Sequence, residues 1–220
     1  MQRALVLGSS GGIGAALVAK LSQNFDITQI SRSKDGFDIT SPDSVEATLA
    51  PLQAPFDLVI VATGALEIDG LEPEKSLRQV RAEGLTAQFL LNAMGPALVL
   101  RHAPRLLPKD RRSVFAVLSA RVGSIGDNRL GGWYSYRAAK AAVNQIVHTA
   151  SIEMTRTHKD SIIVSLHPGT VATKFTEKYL GRHPAVPPAK AAGHLVHVIE
   201  GLTPEDTGKF FDWSGAEVPW

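Results

Sequence analysis

The sequence predicts a single α/β domain: a doubly wound, mostly parallel sheet with helices on both faces. Three observations carry that expectation. Short apolar runs at 4–7, 56–61, 113–118 and 162–166 alternate with stretches of helical period, as strands covered on both faces require. The first run leads into a glycine-rich turn, Gly8-Ser9-Ser10-Gly11-Gly12-Ile13-Gly14, which opens a helix. The length of 220 residues suits one domain with a full core, and no repeat, low-complexity segment or linker divides it.

Composition narrows the function classes. Hydrophobic residues at 44% and charged residues at 20% are ordinary for a soluble globular protein. A formal charge of +2 gives no strong pull toward nucleic acid or membrane, so neither is expected as a partner. The cluster Lys109-Asp110-Arg111-Arg112 reads as a solvated loop. With no cysteine there is neither a disulfide framework nor thiol chemistry, which permits a reducing compartment. Met1 runs directly into a core strand and no apolar run is long enough to span a bilayer, so a cytoplasmic location is expected.

In the turn each glycine has a task. Gly8 lets the chain leave the strand sharply, Gly12 lets backbone approach a pyrophosphate, and Gly14 lets the helix pack close to the sheet. Ile13, Leu17 and Leu21 recur every four residues and share the inner helical face. The free N–H groups at the helix start favour a phosphate. Ser10, Gly11 and Ile13 complete the expected lining of a dinucleotide site on a Rossmann-like fold, with a purely structural turn as the competing reading.

The second strand, 26–30, ends in Ser31-Arg32-Ser33-Lys34. An acidic residue there would bind a ribose 2′-hydroxyl, whereas arginine accommodates a 2′-phosphate. Ser31, Arg32 and Ser33 offer a guanidinium and two hydroxyls, so NADP(H) is expected over NAD(H). Gly36-Phe37-Asp38-Ile39-Thr40 follows where a helix and a third strand are expected. The crossover is trimmed, which leaves one sheet edge thinly covered or paired with a partner.

Ser41-Pro42-Asp43 caps a helix running to about residue 53. The strand at 56–61 ends in Ala62-Thr63-Gly64, where a glycine admits backbone to the cofactor. A long helical region spans roughly 73–107, and Gly95-Pro96 interrupts it with a kink. Asn92 within it is polar among Phe89, Leu90 and Leu91. The strand at 113–118 ends in Ser119-Ala120-Arg121-Val122-Gly123-Ser124. After 162–166 comes His167-Pro168-Gly169-Thr170-Val171-Ala172-Thr173, with His167 read as structural. Residues 176–188 form either a lid over a substrate or a connector. A helix at 189–200 turns Ala192, Leu195, Val196 and Ile199 inward, 208–215 is a last strand, and the tail 216–220 ends in an aromatic that is buried or meets a neighbouring subunit.

The segment that carries chemistry is Gly132-Trp133-Tyr134-Ser135-Tyr136-Arg137-Ala138-Ala139-Lys140. Tyr136 and Lys140 lie four apart, so on a helix their ends converge on one volume. A phenol is a poor acid near neutrality, with an ordinary pKa of about 10. A nearby ammonium stabilises the phenolate and lowers that value. Lys140 could also reach the hydroxyls of a nicotinamide ribose, placing the cofactor and tuning the acid together.

Together these motifs resemble the short-chain dehydrogenase/reductase family over nearly the whole chain. The wording around Ser119–Ile125 and Gly132–Arg137, in numbers 119–125 and 132–137, is similar to the branch with C-factor-like and sniffer-like members. The resemblance implies an NADP(H)-dependent oxidoreductase acting on a small carbonyl or alcohol, with Tyr136 as general acid/base and Lys140 beside it. It assigns Asn92 to a proton-relay water and Asp38, followed by Ile39, to the adenine. Backbone near Pro168, Gly169 and Val171, with the Thr173 hydroxyl, would hold the nicotinamide carboxamide. No metal is implied, and homodimers or homotetramers are expected. The chain departs from the family at three places. Leu7 replaces a threonine, Val61-Ala62-Thr63-Gly64 keeps only the glycine of Asn-Asn-Ala-Gly, and Ala120 occupies the serine position of S-x-x-G. Ser119 is then the expected carbonyl-polarising group, if the strand end bulges, with Ser124 in reserve. A non-catalytic NADP(H)-binding sensor or signalling protein on the same fold is the alternative that these departures sustain. A nucleotide-sugar epimerase is disfavoured by the chain's length.

Overall fold

The computed structural model describes residues 1–173, 176–179 and 185–220. Six strands form one sheet: β1 (Gln2–Leu7), β2 (Phe25–Ile30), β3 (Leu58–Val61), β4 (Ser113–Leu118), β5 (Ser161–His167) and β6 (Phe210–Asp212). Their order is β2-β1-β3-β4-β5-β6 and every pairing is parallel. The chain winds outward from β1 to β2, then crosses back to β3 on the other side of β1. The crevice at the carboxyl ends of β1 and β3 is therefore the topological switch point, where such sheets bind ligands.

Alternation along the strands builds two cores. Ala4 and Val6 of β1 face α1 (Gly12–Leu21) and the last helix, while Leu5 and Leu7 face the opposite layer. That opposite layer contains α3 (Pro42–Leu49), α5 (Gly95–Leu100) and α7 (Tyr134–Met154), whose Val45, Val99, Val143 and Val147 are buried together. The last helix, α8 (Pro188–Gly201), presents Ala192, Leu195, Val196 and Ile199 to the α1 side, as its period predicts.

The crossover at 31–40 is trimmed, as the sequence suggests: Arg32–Asp35 makes a single helical turn, α2, no strand follows it, and the sheet ends at β2, whose Asp26 and Gln29 are exposed. One local reading needs correction. Residues 73–81 are not helical beyond the one 3₁₀ turn Leu77–Gln79, because the Gln79 side chain takes the Lys75 and Ser76 amides and forms a closed capping box. The helix proper begins as α4 (Ala82–Phe89) and passes through a π turn, Leu90–Met94, into α5, so the interruption falls just before Gly95-Pro96. After it α6 (Ala103–Leu106) is a single turn. Residues 109–112 form an exposed loop, as expected, and from it Arg112 donates to the Ile199 and Leu202 carbonyls and closes the end of α8.

Candidate active site

The glycine turn is shaped by contacts too close for any side chain. A Cβ on Gly14 would stand 2.1 Å from the Gly8 carbonyl oxygen, and one on Gly8 would meet the Ala62 carbonyl at 2.9 Å. The ends of β1 and β3 are thereby pressed together, with Gly8 in the left-handed region at φ 85°. At Gly12 the Thr173 methyl group occupies the space beside the backbone, 2.7 Å from where a Cβ would be. The loop after β5 thus reaches the start of α1. Gly11, Ile13 and the helix N-terminus remain at this rim, and Gly11 caps α1 without a side chain.

At the adenosine end the Ser33 hydroxyl donates to the Ser10 hydroxyl at 2.9 Å, joining the two loops beside exposed Arg32. Ser31 does not share this role. It is fully buried, and its hydroxyl caps α2 while Asp35 accepts from its amide at 2.7 Å. Asp35 is the carboxylate that the reading of this strand end missed; Ser31 occupies it. Asp38 anchors the turn before α3, accepting from Thr40 N and Oγ1 at 2.9 and 2.7 Å, bonds that hold its pKa below the ordinary carboxylate range. Ile39 is buried in the core against Gly95.

Helix α7 carries the tyrosine–lysine pair near its start. Tyr136 and Lys140 lie on the inner face of α7, 6% and 3% exposed. The Lys140 ammonium is 5.7 Å from the Tyr136 ring centroid and donates to the Leu118 carbonyl at 2.9 Å. Burial lowers the Lys140 pKa to about 8 and raises that of Tyr136 above its ordinary value. The lowering expected of Tyr136 is absent, because desolvation governs both groups in the cofactor-free chain. Close packing makes the approach possible: a Cβ on Gly123 would lie 2.7 Å from the Lys140 carbonyl carbon, and one on Gly64 would lie 2.7 Å from Asn92 Oδ1 and 3.6 Å from Lys140 Nζ.

Asn92 sits in the π turn, fully buried. Its amide donates to the Ala65 carbonyl and to Gln88 Oε1, and its Oδ1 accepts from the Ala65 amide. Both amide protons are therefore engaged. The main-chain carbonyl of Asn92 has Pro96 at i+4, which has no N–H to give, and the next amide in the π pattern is that of Ala97. Single π turns of this kind occur frequently at functional sites.

The serines at the end of β4 separate cleanly. Phe115 and Val117 face the α7 layer and Val114, Ala116 and Leu118 the other, so alternation alone turns Ser119 toward α7 and no bulge is required. Ser119 Oγ is buried without a partner among the described residues, as is Thr63 Oγ1 at the end of β3. Ser124 is occupied elsewhere: it donates to the Pro219 carbonyl and accepts from the Asp127 amide at 3.0 Å. The tail after β6 thus lies against this loop, with Trp220 stacked on Phe210 at 6.1 Å. The loop after β5 carries Pro168, Gly169 (φ 79°), buried Val171 and Thr173, and a parallel bridge joins Val171 to Val186. His167 is half-buried, and desolvation lowers its pKa to about 4. Of the segment 176–188, residues 180–184 lie outside the described residues, as do 174 and 175 before it.

Sequence reasoning missed Glu74. Its buried carboxylate accepts from the Ser135 amide at 3.1 Å and from the Ser135 hydroxyl, and its carbonyl accepts from the Trp133 amide at 2.5 Å. The first turn of α7 is held by this one residue, 61 positions upstream of Ser135. The only local signal is a glutamate preceded by a proline in a stretch that lacks helical period.

A cradle without room for Cβ atoms and two orphaned hydroxyls at the switch point fit a dinucleotide threading from Ser10 to Thr173. No protein-family model matches the chain. A 1-hydroxy-2-glutathionyl-2-methyl-3-butene dehydrogenase of Rhodococcus sp. (strain AD45) is 30% identical to it over the full length of both proteins. The chain belongs to the short-chain dehydrogenase/reductase family. Another family relative, the C-signal protein of Myxococcus xanthus, is 35% identical over 66% of the chain and 84% of its own length. The short-chain reductase fold extends to solved structures. The carbonyl reductase Sniffer of D. melanogaster and the NADPH-bound carbonyl reductase from chicken fatty liver both superpose with a TM-score of 0.84 at 20% identity. Each covers the whole chain, and the chain covers 100% and 99% of them. Among the described residues no group of acidic, histidine or cysteine side chains is arranged to hold a metal, and no helix is long and apolar enough to cross a membrane.

Proposed function

We propose that this short-chain dehydrogenase/reductase is an NADPH-dependent carbonyl reductase, which in reverse oxidises the alcohol. The observation that carries the reading is the buried Tyr136–Lys140 pair, with the Lys140 ammonium beside Gly64 just past the end of β3. Arg32, Ser33 and Ser10 would hold the 2′-phosphate, the 8–14 turn the pyrophosphate, and Val171 and Thr173 the carboxamide. When bound, NADPH supplies the hydride that the carbonyl carbon accepts. Tyr136 gives its phenolic proton to the carbonyl oxygen, which becomes the hydroxyl of the product. Lys140 favours the resulting phenolate, and Asn92 orients the relay that restores the proton. Ser119, whose hydroxyl has no other partner, polarises the carbonyl.

Ala120 favours a second reading, a protein that binds NADP(H) and signals without turnover, since the serine of S-x-x-G is missing there. Carbonyl-dependent oxidation of NADPH across a panel of aldehydes and ketones separates the two. Turnover supports the reductase; tight NADPH binding with no turnover on any member supports the sensor. Assembly into homodimers or homotetramers belongs to the same proposal, motivated by exposed Phe89, Leu90 and Ile152 on helices of one layer, and sedimentation tests it. A cytoplasmic location is likewise proposed, and fractionation tests it.

A further inference from the structure

Trp133 stands in a conformation that bulky residues avoid. It caps α7 in the left-handed region at φ 53°, directly after Gly131 (φ 65°) and Gly132 (φ 66°). Its side chain makes no capping hydrogen bond, so the helix start would be better served by serine, asparagine or glycine. Nor is it a core residue, being only half-buried. The surroundings nevertheless force the geometry. Glu74 takes the Trp133 amide and the Ser135 amide, and the Arg137 guanidinium donates to the Gly131 and Gly132 carbonyls and to that of Val122. Strain held in place from both sides and placed beside reactive groups points to a use for the side chain.

That side chain lies beside the acid. The indole is edge-on to the Tyr136 ring at 6.2 Å, and Tyr179, from the 3₁₀ turn Glu177–Tyr179, is edge-on to the indole at 5.7 Å. Lys178 pairs with Glu67 at 2.8 Å and Glu72 at 3.7 Å, which ties this turn to the loop after β3. Tyr179 Oη is buried without a partner among the described residues. Three loops thus meet around Trp133, whose indole lies against Tyr136. Their charged groups are five carboxylates, Glu67, Asp69, Glu72, Glu74 and Glu177, and two cations, Lys75 and Lys178, the second already paired with Glu67.

We propose that Trp133 is the specificity-determining side chain of the substrate cleft, and that the substrate is a neutral aromatic carbonyl whose ring packs against the indole. The acidic rim repels carboxylate-bearing substrates, and ring stacking favours flat over saturated rings of equal size. This rests on the reductase reading above.

The experiment compares benzaldehyde, cyclohexanecarbaldehyde and 4-carboxybenzaldehyde as substrates of the NADPH-loaded protein and of three variants. In the unaltered protein kcat/KM falls in that order. Trp133→Leu lowers kcat/KM for benzaldehyde about tenfold, through KM, and changes that for cyclohexanecarbaldehyde by less than about twofold; Trp133→Phe restores benzaldehyde to within about threefold. Trp133→Gly, which relieves the left-handed strain, shows the same selective loss without a fall in Tm. Equal losses on both rings, no loss on either, or a preference for the carboxylate would overturn the proposal. Calorimetric titration of acetophenone into the NADP-loaded protein supplies a second readout. Absence of turnover on every aldehyde defeats the reductase reading, and the proposal is then decided by binding: about tenfold weaker acetophenone binding in Trp133→Leu supports it, and equal binding overturns it.

Discussion

The two ends of the cofactor crevice are built on opposite principles. Around residues 8–14 the site exists because side chains are absent, and a single methyl group at Gly14 would collide with backbone at 2.1 Å. Around Tyr136 and Lys140 it exists because polar side chains are buried, with an ammonium held by one carbonyl and nearby hydroxyls that have no partner. The first end is a steric requirement and fails by unfolding. The second stores unfavourable desolvation and fails by losing rate while the fold persists or becomes firmer.

The steric end breaks first. Gly14→Ala is expected to cost about 3 kcal/mol or more, since the obstacle is backbone, and to lower Tm by roughly 6–12 °C for a chain of this size. Gly193→Ala, in α8 with no atom within 4 Å of the added methyl, is the matching control and should stabilise by about 0.5–1 kcal/mol. Thermal melts of the two variants decide; equal effects would dissolve the contrast.

At the chemical end, Lys140→Met is expected to lower kcat about 100-fold without loss of stability. Its pH signature has a definite sign. Burial lowers the folded pKa of Lys140 to about 8 against an ordinary 10.5, so between those values the unfolded chain holds the extra proton and stability rises with pH. The penalty is fully present below pH 8. Above pH 10 the raised pKa of Tyr136 acts in the other direction, since the unfolded chain then releases the proton that the fold retains. Denaturant melts of the cofactor-free protein from pH 7.5 to 10 should show the rise, and Lys140→Met should abolish it.

The smallest effect lies at the adenosine end. Arg32→Ala should reduce the preference for NADPH over NADH about tenfold, by removing a charge-assisted contact, while leaving Tm unchanged because Arg32 is exposed. An unaltered ratio of the two Kd values would move the clamp elsewhere.

What was legible in the sequence follows from range. The glycine turn and the Tyr136–Lys140 spacing act within one helical turn, so spacing alone exposes them. The ends of the first five strands lie within about two residues of their expected places because buried parallel strands read as uninterrupted apolar runs, whereas the last, expected at 208–215, spans only Phe210–Asp212. Glu74 on Ser135 and Ser124 on Pro219 join positions 61 and 95 apart, and no local pattern announces such contacts. The overlong helix at 73–107 erred for the same reason: Gln79, read as a helical residue, closes a capping box that ends the structure it was expected to continue. Ser119 was doubted on the assumption that Ala120 faced the site, and only the register of β4 against α7 shows which residues point toward the catalytic helix.

The proposed function depends on Tyr136 donating its phenolic proton beside a bound nicotinamide. Single-turnover reduction of a carbonyl by the NADPH-loaded Tyr136→Phe protein, set against its melting curve, tests this most directly. The account predicts a rate lower by about 10³-fold with unchanged NADPH affinity and an unchanged Tm. A variant that reduces the carbonyl at the unaltered rate would contradict it.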